Sequence, residues 1–219
     1  MIEKIGLERY VAISEPCKEV LEIIEILKES RDQITVGEIG VGIGATSVEI
    51  LKRLDYGDIY YMFSYEDDVN ELKNDLENIN DKNVKIIAEG NSTKTFDSYN
   101  WNLAKLALTE QKEGRDGMFD LIYLDGAHTF LHDATACCCI KKLLKTGGYV
   151  IFDDMFWSFA NSSGLNPIKK PRILDMYTME QIEAYQIEMV VSLFMEPDNN
   201  FIRVNKDDRA WRSIWRRIK

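Results

Sequence analysis

Apolar positions along the chain repeat with two different periods, and the switches between them outline a fold. Short apolar runs at 35–39, 58–65, 84–88, 119–124 and 149–152 have the length and the β-branched or aromatic content of strands. Between them the spacing lengthens to three and four. Val48, Ile50, Leu51 and Leu54 mark a helix over 45–54, and Val69, Leu72, Leu76 and Ile79 one over 67–79. Leu103, Leu106 and Ala107 mark a helix over 96–112. Ala134, Cys137, Ile140 and Leu144 mark one over 131–145, with Lys145, Gly147 and Gly148 as its basic last turn and glycine stop. A helix over 15–30 carries Val20, Ile23, Ile24 and Leu27 on one face. Strands alternating with helices of this length predict an α/β domain whose parallel strands are joined by right-handed crossovers.

Beyond Met155 the periodicity loosens. Residues 156–171 hold aromatics, a Ser162-Ser163-Gly164 turn and two prolines, and read as a loop over the strand ends. Residues 172–185 read as a helix. Residues 188–195, the turn Pro197-Asp198-Asn199-Asn200 and residues 201–204 read as an antiparallel hairpin, against a competing reading of one long helix through Met195. The tail 209–219 sets Trp211, Ile214, Trp215 and Ile218 on one helical face among Arg209, Arg212, Arg216, Arg217 and Lys219. A basic amphipathic helix of this kind docks on the chain's own acidic body or on a second subunit, which leaves a homo-oligomer open; an acidic membrane surface or RNA is the alternative. The expected organisation is one domain over 1–219: a helical cap at 1–34, a cofactor-binding core at 35–154, and a lid loop, hairpin and basic tail at 155–219.

Bulk composition narrows the partners. The chain has 219 residues, 45% of them hydrophobic, which suits one α/β domain with a proper core. Asp plus Glu number 37 against 27 Lys plus Arg, a formal charge of −10, which argues against nucleic acid as a partner. No apolar run is long enough to span a membrane, and residues 1–4 lack a basic-then-apolar leader, so a cytoplasmic protein is expected. Cys17 and the adjacent Cys137, Cys138 and Cys139 fit neither a disulfide framework nor a C-x-x-C metal spacing, and read as reduced thiols.

The first strand runs into Glu38-Ile39-Gly40-Val41-Gly42-Ile43-Gly44, then directly into a helix. Glycine at alternate positions lets a strand-to-helix turn adopt positive φ and lets a ligand approach bare backbone, with helix N–H groups aimed at it. A nucleotide-like cofactor is the expectation. Glu66, closing the second strand, is placed to accept bonds from ribose hydroxyls, while Asp67 and Asp68 suit the start of the next helix. Glu89-Gly90-Asn91-Ser92, following the third strand, offer polar residues placed to hold an adenine edge or to cap a helix.

Asp125 closes the fourth strand, and Asp153 and Asp154 the fifth. Neighbouring strand ends lie about 5 Å apart, so these carboxylates converge on the cofactor's rim. Like charges that close repel unless a cation sits among them, and hard oxygen donors suit Mg²⁺, Mn²⁺ or Ca²⁺. His128, three residues after Asp125, is the candidate base, histidine being the side chain that titrates near neutrality. Asp125, His128, His132 and Asp133 together allow a zinc cluster as a further alternative.

Several of these pieces resemble the class I S-adenosylmethionine-dependent methyltransferases, and most closely the macrocin-type, metal-assisted sugar O-methyltransferases. The matching residues are Glu38-x-Gly40-x-Gly42-x-Gly44, Glu66, the run Phe119 to His128, and Leu144-Lys145-x-Gly147-Gly148 through Asp154. The resemblance implies a Rossmann-like, doubly wound, mostly parallel seven-stranded sheet with an antiparallel C-terminal strand, which the hairpin would supply. It implies that Gly40, Gly42 and Gly44 admit the methionine part of S-adenosylmethionine, with Glu38 near its amino end, Glu66 on the ribose, and Asn91 and Ser92 on adenine. The family commonly has an aspartate where this chain has Asn91. It further implies Mg²⁺ at Asp125, Asp153 and Asp154, and a small hydroxylated acceptor such as a sugar. Two other functions fit parts of the pattern. An NAD-dependent oxidoreductase would use the glycine turn and Glu66; a non-catalytic cofactor-binding module would use the Trp/Arg tail for a partner.

Overall fold

A computed structural model describes residues 1–92, 96–207 and 209–219. Its centre is a seven-stranded sheet in the order β3-β2-β1-β4-β5-β7-β6. The strands are β1 (Thr35–Ile39), β2 (Ile59–Tyr65), β3 (Lys85–Asn91), β4 (Phe119–Leu124), β5 (Leu144–Phe152), β6 (Phe201–Arg203) and β7 (Ser213–Arg217). The first five run parallel, and β7 pairs antiparallel with both β5 and β6. The helices are α1 (Lys18–Lys28), α2 (Ala45–Arg53), α3 (Glu66–Glu77), α4 (Asn100–Glu113), α5 (Phe130–Leu143), α6 (Ile173–Met176), α7 (Met179–Glu183) and α8 (Gln186–Phe194). This is the Rossmann-like, doubly wound architecture expected from the sequence. No helix among the described residues is long and apolar enough to cross a membrane.

Each face of the sheet carries its own core. On one, Val20, Ile24 and Leu27 of α1, Ile50 of α2 and Leu72 and Leu76 of α3 cover Val36, Tyr60 and Leu121. On the other, Leu103 of α4, Cys137 and Ile140 of α5, and Ile187, Val190 and Val191 of α8 cover Phe63, Phe119, Ile122 and Phe152. Strands this apolar on both sides belong in a sheet clad on both faces.

Four expectations near the C-terminus need correction. The helix of 131–145 stops at Leu143, and Leu144 opens β5, so Lys145, Gly147 and Gly148 lie in a strand rather than a helix stop. Lys145 instead donates to Asp120 at 2.8 Å. The segment 172–185 is two short helices, α6 and α7, the second opened by a capping box between Thr178 and Gln181. The first arm of the predicted hairpin is helix α8: Ile187, Val190 and Val191 recur at three and four and all reach the core. The β-branched pair Val190-Val191 mimics a strand in isolation, and packing on α5 decides otherwise.

The tail is strand β7, not an amphipathic helix. Its working period is two: Ile214 enters one core and Trp215 the other. The arginines fall where the strand leaves the core. Arg216 lies over the Tyr149 ring and Arg217 pairs with Asp116 at 3.0 Å. The antiparallel edge of the sheet is therefore built by β7 and β6 rather than by a hairpin spanning 188–204.

Candidate active site

Register places the chemistry. Ile39 of β1 lies level with Phe63 of β2 and Leu124 of β4, and Leu124 level with Phe152 of β5. The next residues are tied strand to strand: Gly40 N–H donates to the Phe63 carbonyl at 2.8 Å, Asp125 N–H to the Ile39 carbonyl at 2.8 Å, and Asp153 N–H to the Leu124 carbonyl at 3.0 Å. Gly40, Asp125 and Asp153 thus stand side by side at the carboxyl ends of three adjacent strands, where open α/β sheets bind ligands. A cavity of about 560 Å³ opens there. Its wall includes Glu38, Gly40, Gly42, Asp125, His128 and Asp154.

The three glycines of the turn serve different needs. Gly40 has φ +84, and a Cβ on it would meet the Asp125 carbonyl oxygen at 1.9 Å. Gly44, with φ +87, caps α2 and faces Leu72, 2.5 Å from where a Cβ would be, and is not on the cavity wall. Only Gly42 has open space where a side chain would go. Packing therefore requires glycine at 40 and 44, while Gly42 presents open backbone to the cavity.

Glu38 is buried at the base of this cavity. Ser47 Oγ donates to it at 2.6 Å and the Tyr60 hydroxyl donates to the same oxygen. Burial pushes its pKa up to about 7, against those two hydrogen bonds and with the charge of Asp125 adding to the rise. A buried carboxylate in this state suits a cationic group such as the α-ammonium of an amino acid.

On the same wall, Asp125, His128 and Asp154 offer ligand atoms that all lie within 4.8 Å of one another. His128 Nε2 is 3.7 Å from Asp125 Oδ1 and 3.5 Å from Asp154 Oδ2. Both His128 (φ 54) and Asp154 (φ 56) adopt the left-handed backbone region, which non-glycine residues adopt at a cost and which clusters at functional sites. Burial, then the charges of Asp153 and Asp154, hold the Asp125 carboxyl well above the usual range. Burial also raises Asp154, with Asp153 adding and His128 opposing. Two oxygens and an imidazole set this close, with carboxyls that resist sharing negative charge, form a donor set that fits a divalent cation.

Asp153 shares the cavity but not the cluster. Arg212 Nε donates to it at 3.0 Å, the Tyr123 hydroxyl also donates to it, and its other oxygen accepts the Asp154 N–H at 2.8 Å. The expected trio of aspartates does share one rim, yet the atoms that converge belong to Asp125, Asp154 and His128. His132 turns away, its ring nitrogens on Thr129 Oγ1 at 2.7 Å and the Phe96 carbonyl at 3.1 Å. Asp133 is buried against the Tyr99 hydroxyl at 2.6 Å, so the zinc alternative is not assembled.

None of Glu66, Asn91 and Ser92, the residues expected to meet a nucleoside, is among the described residues that line this cavity. Glu66 is the exposed first residue of α3, and among the described residues β2 and α3 bring Ser64, Tyr65 and Asp68, not Glu66, to the wall. Asn91 is 4% exposed, and among the described residues neither polar atom of its amide has a hydrogen-bond partner. Buried amides are rarely left unpaired without a ligand or water to meet them. Ser92 follows it at the strand end and is exposed. A second cavity of about 430 Å³ adjoins through Tyr65 and is lined by Ser98, Ala127, Phe159 and Tyr177 among others.

Residues without a motif complete the site. Tyr123 was legible in principle, since it lies two positions before Asp125 on the same strand face. Ala12, Ile13 and Glu15 from the N-terminal segment and Trp211 and Arg212 before β7 reach the same wall from afar in sequence, with no local signal.

Comparison with known proteins bears on this geometry. A family model described as "Methyltransferase domain" matches residues 38–155, from the buried glutamate to just past the paired aspartates. The chain belongs to this methyltransferase family. The expected class, the class I S-adenosylmethionine-dependent methyltransferases, stands, and with it the expectation of an enzyme. No curated protein matches the sequence significantly. Among solved structures, a Klebsiella pneumoniae protein provisionally assigned as an O-methyltransferase superposes with a TM-score of 0.60 at 10% identity, covering 100% of this chain and 90% of that one. The O-methyltransferase TomG of Streptomyces achromogenes, solved with S-adenosylmethionine, gives 0.55 at 12% identity, over 92% of this chain and 80% of its own. MycE of the mycinamycin biosynthetic pathway, solved with Mg and S-adenosylhomocysteine, gives 0.56 at 16% identity, over 99% of this methyltransferase and 52% of MycE. At such identities the likeness concerns the fold.

Proposed function

We propose that this methyltransferase transfers the methyl group of S-adenosylmethionine to a hydroxyl of a small polyhydroxylated acceptor such as a sugar, with a divalent cation of the Mg²⁺ type at the reaction centre. The observation that carries this reading is the clustering of Asp125, His128 and Asp154 ligand atoms within 4.8 Å on the wall of the cavity that also contains the glycine turn. Neighbours of the same fold solved with S-adenosylmethionine, or with Mg and S-adenosylhomocysteine, support it by analogy.

In this reading the Gly42 backbone cradles the methionine part of the cofactor and Glu38 meets its ammonium. Ser64 and Asp68, rather than Glu66, take the ribose hydroxyls, and the Asn91 amide meets the adenine edge. Bound S-adenosylmethionine supplies an activated methyl, so the protein's task is alignment. Asp125 and Asp154 hold the cation, which when bound makes a nearby hydroxyl easier to ionise. His128 takes the acceptor proton. Its ring is packed against Trp157 at 5.2 Å between centroids, and its Nε2 lies 3.7 Å from Asp125 Oδ1 and 3.5 Å from Asp154 Oδ2. Ala12, Ile13 and Trp211 on the cavity wall offer apolar surface for the acceptor's ring.

Titration calorimetry with S-adenosylhomocysteine, followed by turnover of a panel of simple glycosides and aromatic diols with and without Mg²⁺ or Mn²⁺, tests the proposal. Binding of the cofactor product and metal-dependent methylation are expected. Cofactor binding with turnover indifferent to chelator would remove the cation from the mechanism.

A further inference from the structure

We propose that Trp211 and Arg212 are positioning residues that give the two adjacent aspartates at the end of β5 different tasks: Trp211 aims Asp154 at the cation, and Arg212 withdraws Asp153 from it. The inference rests on the cation reading above and goes beyond it.

Asp153 and Asp154 are chemically identical neighbours on one rim, yet their surroundings are opposite. Asp153 is 5% exposed, and its oxygens already accept from Arg212 Nε, the Tyr123 hydroxyl and the Asp154 amide. Arg212 is itself anchored, its Nη1 donating to Glu19 of α1 at 3.1 Å. A carboxylate so committed has little left to offer an ion. Asp154 is partly open, sits in the left-handed backbone region, and accepts the indole N–H of Trp211 on Oδ1 at 2.5 Å. Its Oδ2 is the oxygen that faces His128. Residue 211 also holds the far side, its carbonyl accepting the Met155 N–H at 3.0 Å.

The segment before β7 therefore grips the end of β5 at three points. One oxygen of Asp154 is occupied and the other is presented, as an outer partner does for a metal-ligating carboxylate. The positive φ of Asp154 makes such a grip necessary, because that backbone state persists only where its surroundings enforce it. Nearly half of the Trp211 surface is exposed, so hydrophobic burial alone does not account for its place.

The test reads Mn²⁺ affinity of the full chain from the electron paramagnetic resonance signal of the free ion, with no turnover involved. Trp211→Phe, which keeps a ring and removes the donor, is expected to weaken binding by about 10-fold or more. Trp211→Gln, which restores an N–H, should lose less than the Phe variant. Asp154→Asn should abolish binding, and Asp153→Asn should leave it within about threefold, below the 10-fold loss of a true outer partner. Wild-type affinity in Trp211→Phe, or equal loss in Asp153→Asn and Asp154→Asn, overturns the division of labour while the cation site stands. If Trp211→Phe lacks a cooperative thermal transition, the contrast between the two Asn variants decides. A wild-type chain that binds no Mn²⁺ sinks the cation reading and this inference with it.

Discussion

The carbonyl oxygen of Asp125 lies 1.9 Å from where a Cβ on Gly40 would sit, so the glycine turn and the acidic rim are one piece of backbone packing. Any side chain at position 40 would have to push the end of β4 away. At position 42 a Cβ meets nothing, and its only backbone cost is φ +50. Gly40→Ala should therefore destabilise the fold by several kcal/mol, as overpacking against rigid backbone does, at the upper end of about 1–3 kcal/mol or beyond it. Gly42→Ala should cost about 1 kcal/mol and instead weaken S-adenosylhomocysteine. Urea unfolding and calorimetry on the two variants separate these outcomes; equal stability loss in both would refute the assignment.

Glu38 carries a signature in pH. Its pKa of about 7 stands above the ordinary 4.5, so the folded state binds its proton more tightly than the unfolded chain does. Any such group contributes stability that is fully present below pH 4.5 and is lost as pH rises through 7. The difference is about 3 kcal/mol. Unfolding free energies of the wild type minus those of Glu38→Gln should fall by this order between those pH values and then level off. A flat difference curve would mean that Glu38 ionises as if exposed.

The same carboxyl predicts proton release on cofactor binding. A cationic ammonium beside Glu38 favours its anion and lowers the pKa, so near pH 7 protons leave as ligand enters. The binding enthalpy of S-adenosylmethionine should then vary with the ionisation enthalpy of the buffer, and Glu38→Gln should lose much of that dependence. Equal enthalpies across buffers in the wild type would place the ammonium elsewhere.

What could be read from the sequence was what is local. The limits of β1 and β4, the positions of Gly40, Asp125 and Asp153 on one rim, and the periodicity of α2 and α3 all follow from short-range patterns. Three features did not. Glu66 lies one step past the strand, where helix α3 turns it outward, a boundary that periodicity does not resolve. Val190-Val191 has strand chemistry in a helix that packing on α5 imposes. Trp211 and Arg212 match a helical stripe as well as the lead-in to a strand, and only pairing with β5 decides. The cation cluster shows the same limit: its aspartates were visible, but the engagement of Asp153 by a residue 59 positions away was not.

That engagement has an energetic consequence. Asp153 is 5% exposed and its partner Arg212 is partly buried, so removing the guanidinium leaves the buried Asp153 charge without its cation. Arg212→Ala should destabilise the protein by about 3–5 kcal/mol. Adding Asp153→Asn should recover a substantial part, because the stranded charge is then gone. A double-mutant cycle by chemical denaturation measures the coupling; additive losses would show that Arg212 acts through packing rather than through Asp153.

His128 faces both cation-site carboxylates at 3.5–3.7 Å, which places it equally well to take a proton or to ligate. The two roles separate cleanly in a variant that removes the imidazole. As base, His128→Ala should lower turnover by about 10²–10⁴-fold while Mn²⁺ affinity stays near that of the wild type, since Asp125 and Asp154 remain. As ligand, the same change should lower Mn²⁺ affinity in step with turnover. The first pattern is expected, because two hard carboxylate oxygens suit an Mg²⁺-type ion better than an imidazole does. A parallel fall in both would move His128 from proton transfer into the coordination sphere and leave the base to be sought among other groups on the cavity wall.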